Sequence, residues 1–175
     1  MHKCSAVVIC FPVLILLLGL AGCDAARTSK HEALGAQFGQ DRLAVAVNAL
    51  GEHVSLAKFP GEFVWVDYAA EWCAACRPQS ATIRSLAQAG RVEAVFITVM
   101  TSEREGYGHP ATQATAARWA QNLSLEPARV VAADLTSQKL PQHALYSPDG
   151  RELFRHVGKM SAEEIRMTLE RHEKD

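Results

Sequence analysis

Phe63-Val64-Trp65-Val66-Asp67-Tyr68-Ala69-Ala70-Glu71-Trp72-Cys73-Ala74-Ala75-Cys76-Arg77 is the stretch that decides the fold of this 175-residue chain. Its first six residues are β-prone and largely apolar, as expected of a central strand buried on both faces. Beyond it, Ala81-Thr82-Ile83-Arg84-Ser85-Leu86-Ala87 reads as a helix ending at Gly90. Cys73 therefore falls where a strand hands over to a helix. The unsatisfied N–H groups and the dipole of a helix N-terminus favour a thiolate there. Arg77 adds positive charge nearby. Cys76 follows three residues on, so the spacing predicts both sulfurs on one helix face. In such a pair the first sulfur attacks a disulfide and the second resolves the mixed disulfide. Trp72 is expected to shield one side and to offer an apolar contact to a docking chain.

Outward from this stretch, Leu43 to Val47 and Val54-Ser55-Leu56 flank Asn48 to His53, with Gly51 as the turn residue, and predict an early hairpin. Ala94 to Val99 is a second buried strand. His109-Pro110 opens a helical stretch to Leu123, with Ala116, Ala117, Ala120 and Leu123 at helical spacing. Arg129 to Ala133 is strand-like. Ala144-Leu145-Tyr146 and Leu153-Phe154-Arg155-His156 flank the turn Pro148-Asp149-Gly150. Ser161-Ala162-Glu163-Glu164 has the capping-box pattern and leads into Ile165, Met167 and Leu169. Strand, helix, strand, helix, strand, then hairpin and helix is the order of an α/β domain: parallel strands joined by crossovers, with an antiparallel edge. The length suits one domain. With 18 Lys plus Arg against 19 Asp plus Glu, and no basic cluster interleaved with aromatics, nucleic-acid binding is a poor reading.

The N-terminus points to export. Met1-His2-Lys3 is followed by an apolar run from Ala6 to Leu20, the pattern of a secretory signal. Leu20-Ala21-Gly22-Cys23 resembles the lipobox of bacterial lipoproteins, in which the cysteine is lipidated and becomes the first residue of the mature chain. An uncleaved membrane anchor and ordinary cleavage with release are the other readings. The expected organisation is a signal over 1–22, lipidated Cys23 with a flexible tether over 23–37, and a folded domain over 38–175. The tether spans roughly 20 Å as a coil. Cys4 and Cys10 leave with the signal, so Cys73 and Cys76 alone remain for the folded part. One pair at close spacing suggests chemistry rather than a structural disulfide framework. Zinc is disfavoured, because a zinc knuckle needs two more Cys or His at short spacing and His109, His143 and His156 are scattered.

Asp67 to Arg77 resembles the active-site segment of thioredoxins. It is similar also to the periplasmic C-terminal domain of the transmembrane electron transporter DsbD. Leu50 to Leu56 with Phe59-Pro60-Gly61 resembles the opening of TlpA-like membrane-tethered thioredoxins. Leu140-Pro141, Pro148-Asp149-Gly150-Arg151 and Val157-Gly158 resemble the family's second half. The resemblance covers about Leu43 to Leu169. It implies a thioredoxin-like fold, a central mixed sheet flanked by helices, with an N-terminal hairpin and a helical insertion before the third core strand. It implies Cys73 as nucleophile, Cys76 as resolving thiol and Pro141 as the cis-proline beside the disulfide. Asp67 matches the buried carboxylate that accepts a proton from the second cysteine; a solvated or structurally bonded acid is the alternative. Pro78 departs from the family by standing two residues after Cys76, where it still fits a first helical turn.

The expected activity is that of an extracytoplasmic thiol–disulfide oxidoreductase. The Ala74-Ala75 dipeptide lacks the Pro-His pair of strongly oxidising relatives, which favours a protein-disulfide reductase over an oxidase. Partners are exported proteins with cysteine pairs or disulfides, a membrane electron donor of the DsbD type, and the membrane itself through the lipid anchor. No cofactor and no metal are expected. Two alternatives stay open: a disulfide-forming oxidase, and a copper-binding assembly factor using Cys73, Cys76 and a histidine such as His143 or His156. A peroxide-reducing enzyme is disfavoured, since the Pro-x-x-x-Thr/Ser-x-x-Cys arrangement is missing around Cys73. The expected location is the bacterial periplasm, with Asp24 resembling an inner-membrane retention signal and the outer membrane as the other choice.

Overall fold

The elements run β1 (Ala46–Asn48), β2 (His53–Val54), β3 (Phe63–Ala69), α1 (Cys76–Ala89), β4 (Ala94–Met100), α2 (Gln113–Leu123), β5 (Val130–Ala132), β6 (Gln142–Tyr146), β7 (Glu152–Val157) and α3 (Ala162–His172). The computed structural model describes residues 46–55, 58–102, 109–133 and 139–174. The signal, Cys23, the tether, and the strand residues expected over 43–45 and at Leu56 lie outside them. No helix among the described residues is long and apolar enough to cross a membrane.

The strands form one sheet in the order β2-β1-β5-β4-β3-β6-β7. β3, β4 and β5 are parallel, while β6 and β7 add an antiparallel edge on one side and β1 with β2 another on the far side. β3 sits centrally because both its faces are buried and, Asp67 apart, apolar or aromatic, with only its first residue partly exposed. Alternate side chains go to opposite faces. Trp65 packs with Ile83 of α1 and with Ile165 and Leu169 of α3, and Ala69 packs with Ala116, Trp119 and Ala120 of α2. Val64, Val66 and Tyr68 belong to the other face, with Val95, Ile97, Val99 and Tyr146.

The structure moves several expected boundaries. The second helix starts at Gln113 rather than at His109: Pro110 holds a bridge to Ser102, and Thr112 caps the helix in a capping box with Thr115. Proline disfavours helical backbone in the residue before it, so His109 is kept out of the helix. Arg129 belongs to a 3₁₀ turn, Pro127–Arg129, just ahead of β5. Asn48 and His53 are strand residues rather than turn residues, and the Asn48 side-chain oxygen accepts from Leu50 N and Glu52 N to close the turn between them. In α3, Met167 faces solvent; Ile165, Thr168 and Leu169 form the buried stripe at the i, i+3, i+4 spacing.

Candidate active site

Cys73 and Cys76 are joined by a disulfide with their Cα atoms 5.3 Å apart. Cys76 is the first residue of α1, and Cys73 lies ahead of it in the turn that leaves β3, so the pair does not share a helix face as expected. Cys73 N–H donates to Ala70 O and Cys76 N–H to Cys73 O, which winds the chain into the helix. Cys73 keeps 6 % of its surface exposed and Cys76 none. The outward sulfur suits attack and the inward one resolution. The helix opens at Ala75 without a side-chain cap and without an acidic residue in its first turn. Pro78 sits in that turn, where its missing N–H has no intrahelical role.

Asp67 is fully buried on the helix side of β3. One carboxylate oxygen, Oδ2, accepts from Ser80 Oγ at 2.8 Å. Ser80 stands four residues after Cys76, hence on the same face of α1 and one turn below the sulfur. Trp119 Nε1 donates to the same Ser80 oxygen at 3.3 Å, and the Arg77 guanidinium lies 5.2 Å from the Trp119 ring centre. Burial, opposed in part by the Ser80 bond, pushes Asp67 up to about 7. A carboxyl in that range is part protonated and part ionised at neutral pH.

Across the ladder from Asp67 lies His143, also fully buried. Its Nδ1 is 3.6 Å from Asp67 Oδ1. Burial lowers His143 to about 4, the nearby His156 acts in the same direction, and the Gly158 backbone opposes. His143 and His156 face each other on β6 and β7 with rings stacked at 6.4 Å.

The Leu140–Pro141 peptide is cis, at the start of β6, and Leu140 packs in the same apolar cluster as Cys73, Cys76 and Trp72. Trp72 is half-buried and donates from Nε1 to Ser102 Oγ at 3.1 Å. Glu71 forms a two-pronged ion pair with Arg118 of α2. The structure thus brings Trp72, Cys73, Cys76 and the Leu140–Pro141 bond to one end of the sheet, with Asp67 linked to α1 through Ser80. Cys23 lies outside the described residues. Among those residues no three His, Cys, Asp or Glu side chains form a group able to hold a metal. The sequence reading passed over Ser80, Trp119 and the place of His143. Ser80 was findable from its helical spacing to Cys76. His143 depends on the β3–β6 register, and a slip of one residue would turn it to the other face.

The sheet, the strand-to-helix disulfide and the cis-proline before β6 define a thioredoxin-like fold. No protein-family model and no curated protein matches the chain, but solved structures share its architecture. The N-terminal domain of PilB from Neisseria gonorrhoeae is similar at 14% identity, covering 82% of this chain and 95% of that one, with a TM-score of 0.59. A secreted Mycobacterium tuberculosis disulfide oxidoreductase, described as homologous to E. coli DsbE, is similar at 15% identity over 75% of this chain and 98% of that one (TM-score 0.57). The pneumococcal exposed lipoprotein thioredoxin from Streptococcus pneumoniae is similar at 19% identity over 71% and 96% (TM-score 0.55).

Proposed function

We propose that this chain is an extracytoplasmic thiol–disulfide oxidoreductase that reduces disulfides in exported proteins. The observation that carries the reading is the Cys73–Cys76 disulfide at the uncapped start of α1, with its first sulfur partly exposed and its second buried. In the reduced protein, the Cys73 thiolate attacks a partner disulfide, forming a mixed disulfide and releasing one partner thiolate. Cys76 then passes its proton to the Asp67 carboxylate and attacks Cys73 Sγ. The Cys73–Cys76 bond forms, the mixed disulfide breaks, and the second partner sulfur leaves. Two electrons go to the partner, and its two thiolates take up protons from solvent and from Asp67. Leu140 and Trp72 offer the apolar contact for the docking chain, and Pro141, lacking an N–H, leaves adjacent backbone free for a substrate strand.

The N-terminal pattern supports export, and Leu20-Ala21-Gly22-Cys23 supports a lipid anchor at Cys23, a tether over 23–37 and a domain over 38–175. Two structural neighbours are described as a secreted oxidoreductase and an exposed lipoprotein. Asp24 favours the inner membrane of a bacterial periplasm. A membrane donor of the DsbD type would re-reduce the Cys73–Cys76 disulfide. The test is the reduction potential of the couple in glutathione or dithiothreitol buffers. A value near −270 mV, roughly that of thioredoxin, supports a reductase; about −120 mV reverses the direction to oxidase. Failure to form the disulfide overturns both.

A further inference from the structure

Four side chains line up across the helix-facing side of the sheet: Thr98 on β4, Asp67 on β3, His143 on β6 and His156 on β7, each directly opposite the next. The neighbouring row, two residues toward the other end of the strands, is Phe96, Trp65, Leu145 and Phe154, wholly apolar in type. A polar row in this position needs its hydrogen-bonding groups satisfied internally. Asp67 Oδ2 has Ser80, but Asp67 Oδ1 and both ring nitrogens of His143 make no hydrogen bond of ordinary length and angle, although the Gly158 backbone lies close enough to act on the ring. Oδ1 and Nδ1 are the atoms that face each other at 3.6 Å. A shift of about half an ångström brings them to bonding distance, and one proton between them then satisfies both.

We propose that His143 is a positioning residue: with Asp67 it forms a buried pair that shares one proton, and it holds the carboxyl's proton affinity down to a range where Asp67 can exchange a proton with Cys76. This role in the exchange rests on the redox reading above; the shared proton itself does not. The groups facing the pair are few. From α1 come Ser80 and, in the reduced protein, Cys76; from β4 comes Thr98. From β7 comes His156, and Glu164 of α3 acts on His156 in turn. No lysine or arginine among the described residues forms an ion pair with Asp67. Ser80 already donates to Oδ2, and His143 is the group placed to favour the carboxylate further, by donating from Nδ1 to Oδ1. It does so while neutral, which burial enforces.

The test follows the Asp67 carboxyl by its ¹³C shift from pH 4 to 9 in the full-length oxidised protein, with Asp67→Asn identifying the signal. Because the disulfide stays closed, the result does not depend on any reductase activity, and a failed redox assay leaves it standing. His143→Phe keeps a ring against Trp65 and His156 but removes the donor; the carboxyl midpoint is expected to rise by about one pH unit, a tenfold gain in proton affinity. His143→Asn, which restores a donor, is expected to bring it back toward wild type. In the wild-type protein the His143 ring ¹⁵N signals are expected to move with the same midpoint as the carboxyl, a readout available even where a variant does not fold. Equal midpoints in wild type and His143→Phe, or ring signals indifferent to the carboxyl titration, would overturn the shared proton.

Discussion

Helix α3 begins with Ser161 and Glu164 bonded to each other's backbone N–H groups, and with Glu163 and Glu164 in its first turn. Helix α1 begins at Ala75 with no side chain on its N–H groups and no acid in its first turn. Both helices nonetheless have a carboxyl close by. Glu164 is in solvent at the end of α3, and the Ser161 backbone and hydroxyl hold it below the usual carboxylate range. Asp67 is buried beneath the first turns of α1 and raised instead. One end is capped and the other is left open, with its acid set back beneath the helix rather than placed on the free N–H groups.

Removing the sulfur that the open end serves has the largest effect. Cys73→Ser is expected to abolish reduction of a protein disulfide such as that of insulin, while Cys76→Ser should accumulate a mixed disulfide visible on a non-reducing gel. Next come the buried acid and its neighbour, whose pH signatures oppose each other. Burial raises Asp67, so its contribution costs the fold stability as pH rises from about 4 to about 7. Burial lowers His143, so its contribution is lost as pH falls from about 6.5 to about 4. Between pH 4 and 6.5 the unfolded chain carries one proton on the two groups and so does the folded pair, and the slopes cancel. Asp67→Asn should therefore give stability that climbs with pH by up to about 1.4 kcal/mol per unit, and His143→Phe should give a decline, both read from urea unfolding midpoints. Parallel slopes in the two variants would sink this account.

Smaller effects come from exchanging the helix ends themselves. Ala75→Asp places a carboxylate at the positive end of α1 and, through the helix dipole, should stabilise the fold by up to ~1 kcal/mol. The same carboxylate competes with the thiolate, so alkylation of Cys73 in the reduced protein should shift to higher pH by about half a unit. Ser161→Ala should cost about 1 kcal/mol in thermal or urea unfolding and leave the potential of the cysteine couple unchanged. A changed potential would mean that the two helix ends are coupled.

What was legible in the sequence was local. The apolar run of β3, Gly90 closing α1 with a left-handed backbone, the Pro148-Asp149-Gly150 turn and the Ser161 capping box each rest on a few adjacent residues, and each lies where those residues place it. The cysteine pair was legible for the same reason. What was not legible depends on residues far apart in the chain. Asp67 and His143 meet only through the pairing of β3 with β6, and Trp119 reaches Ser80 only because α2 packs beside α1. The start of α2 went astray because His109-Pro110 looked like an opening while Thr112, two residues beyond the proline, took the cap.

Gln79, buried in α1, bonds through its side-chain amide to both the N–H and the C=O of Met160, just ahead of α3. Ser80, its neighbour, is held between Asp67 and Trp119. Two adjacent residues thus anchor α1 to the sheet and to two other segments immediately after the cysteine pair. None of these bonds uses a cysteine sulfur, so the start of α1 is tied to the rest of the fold independently of the disulfide itself.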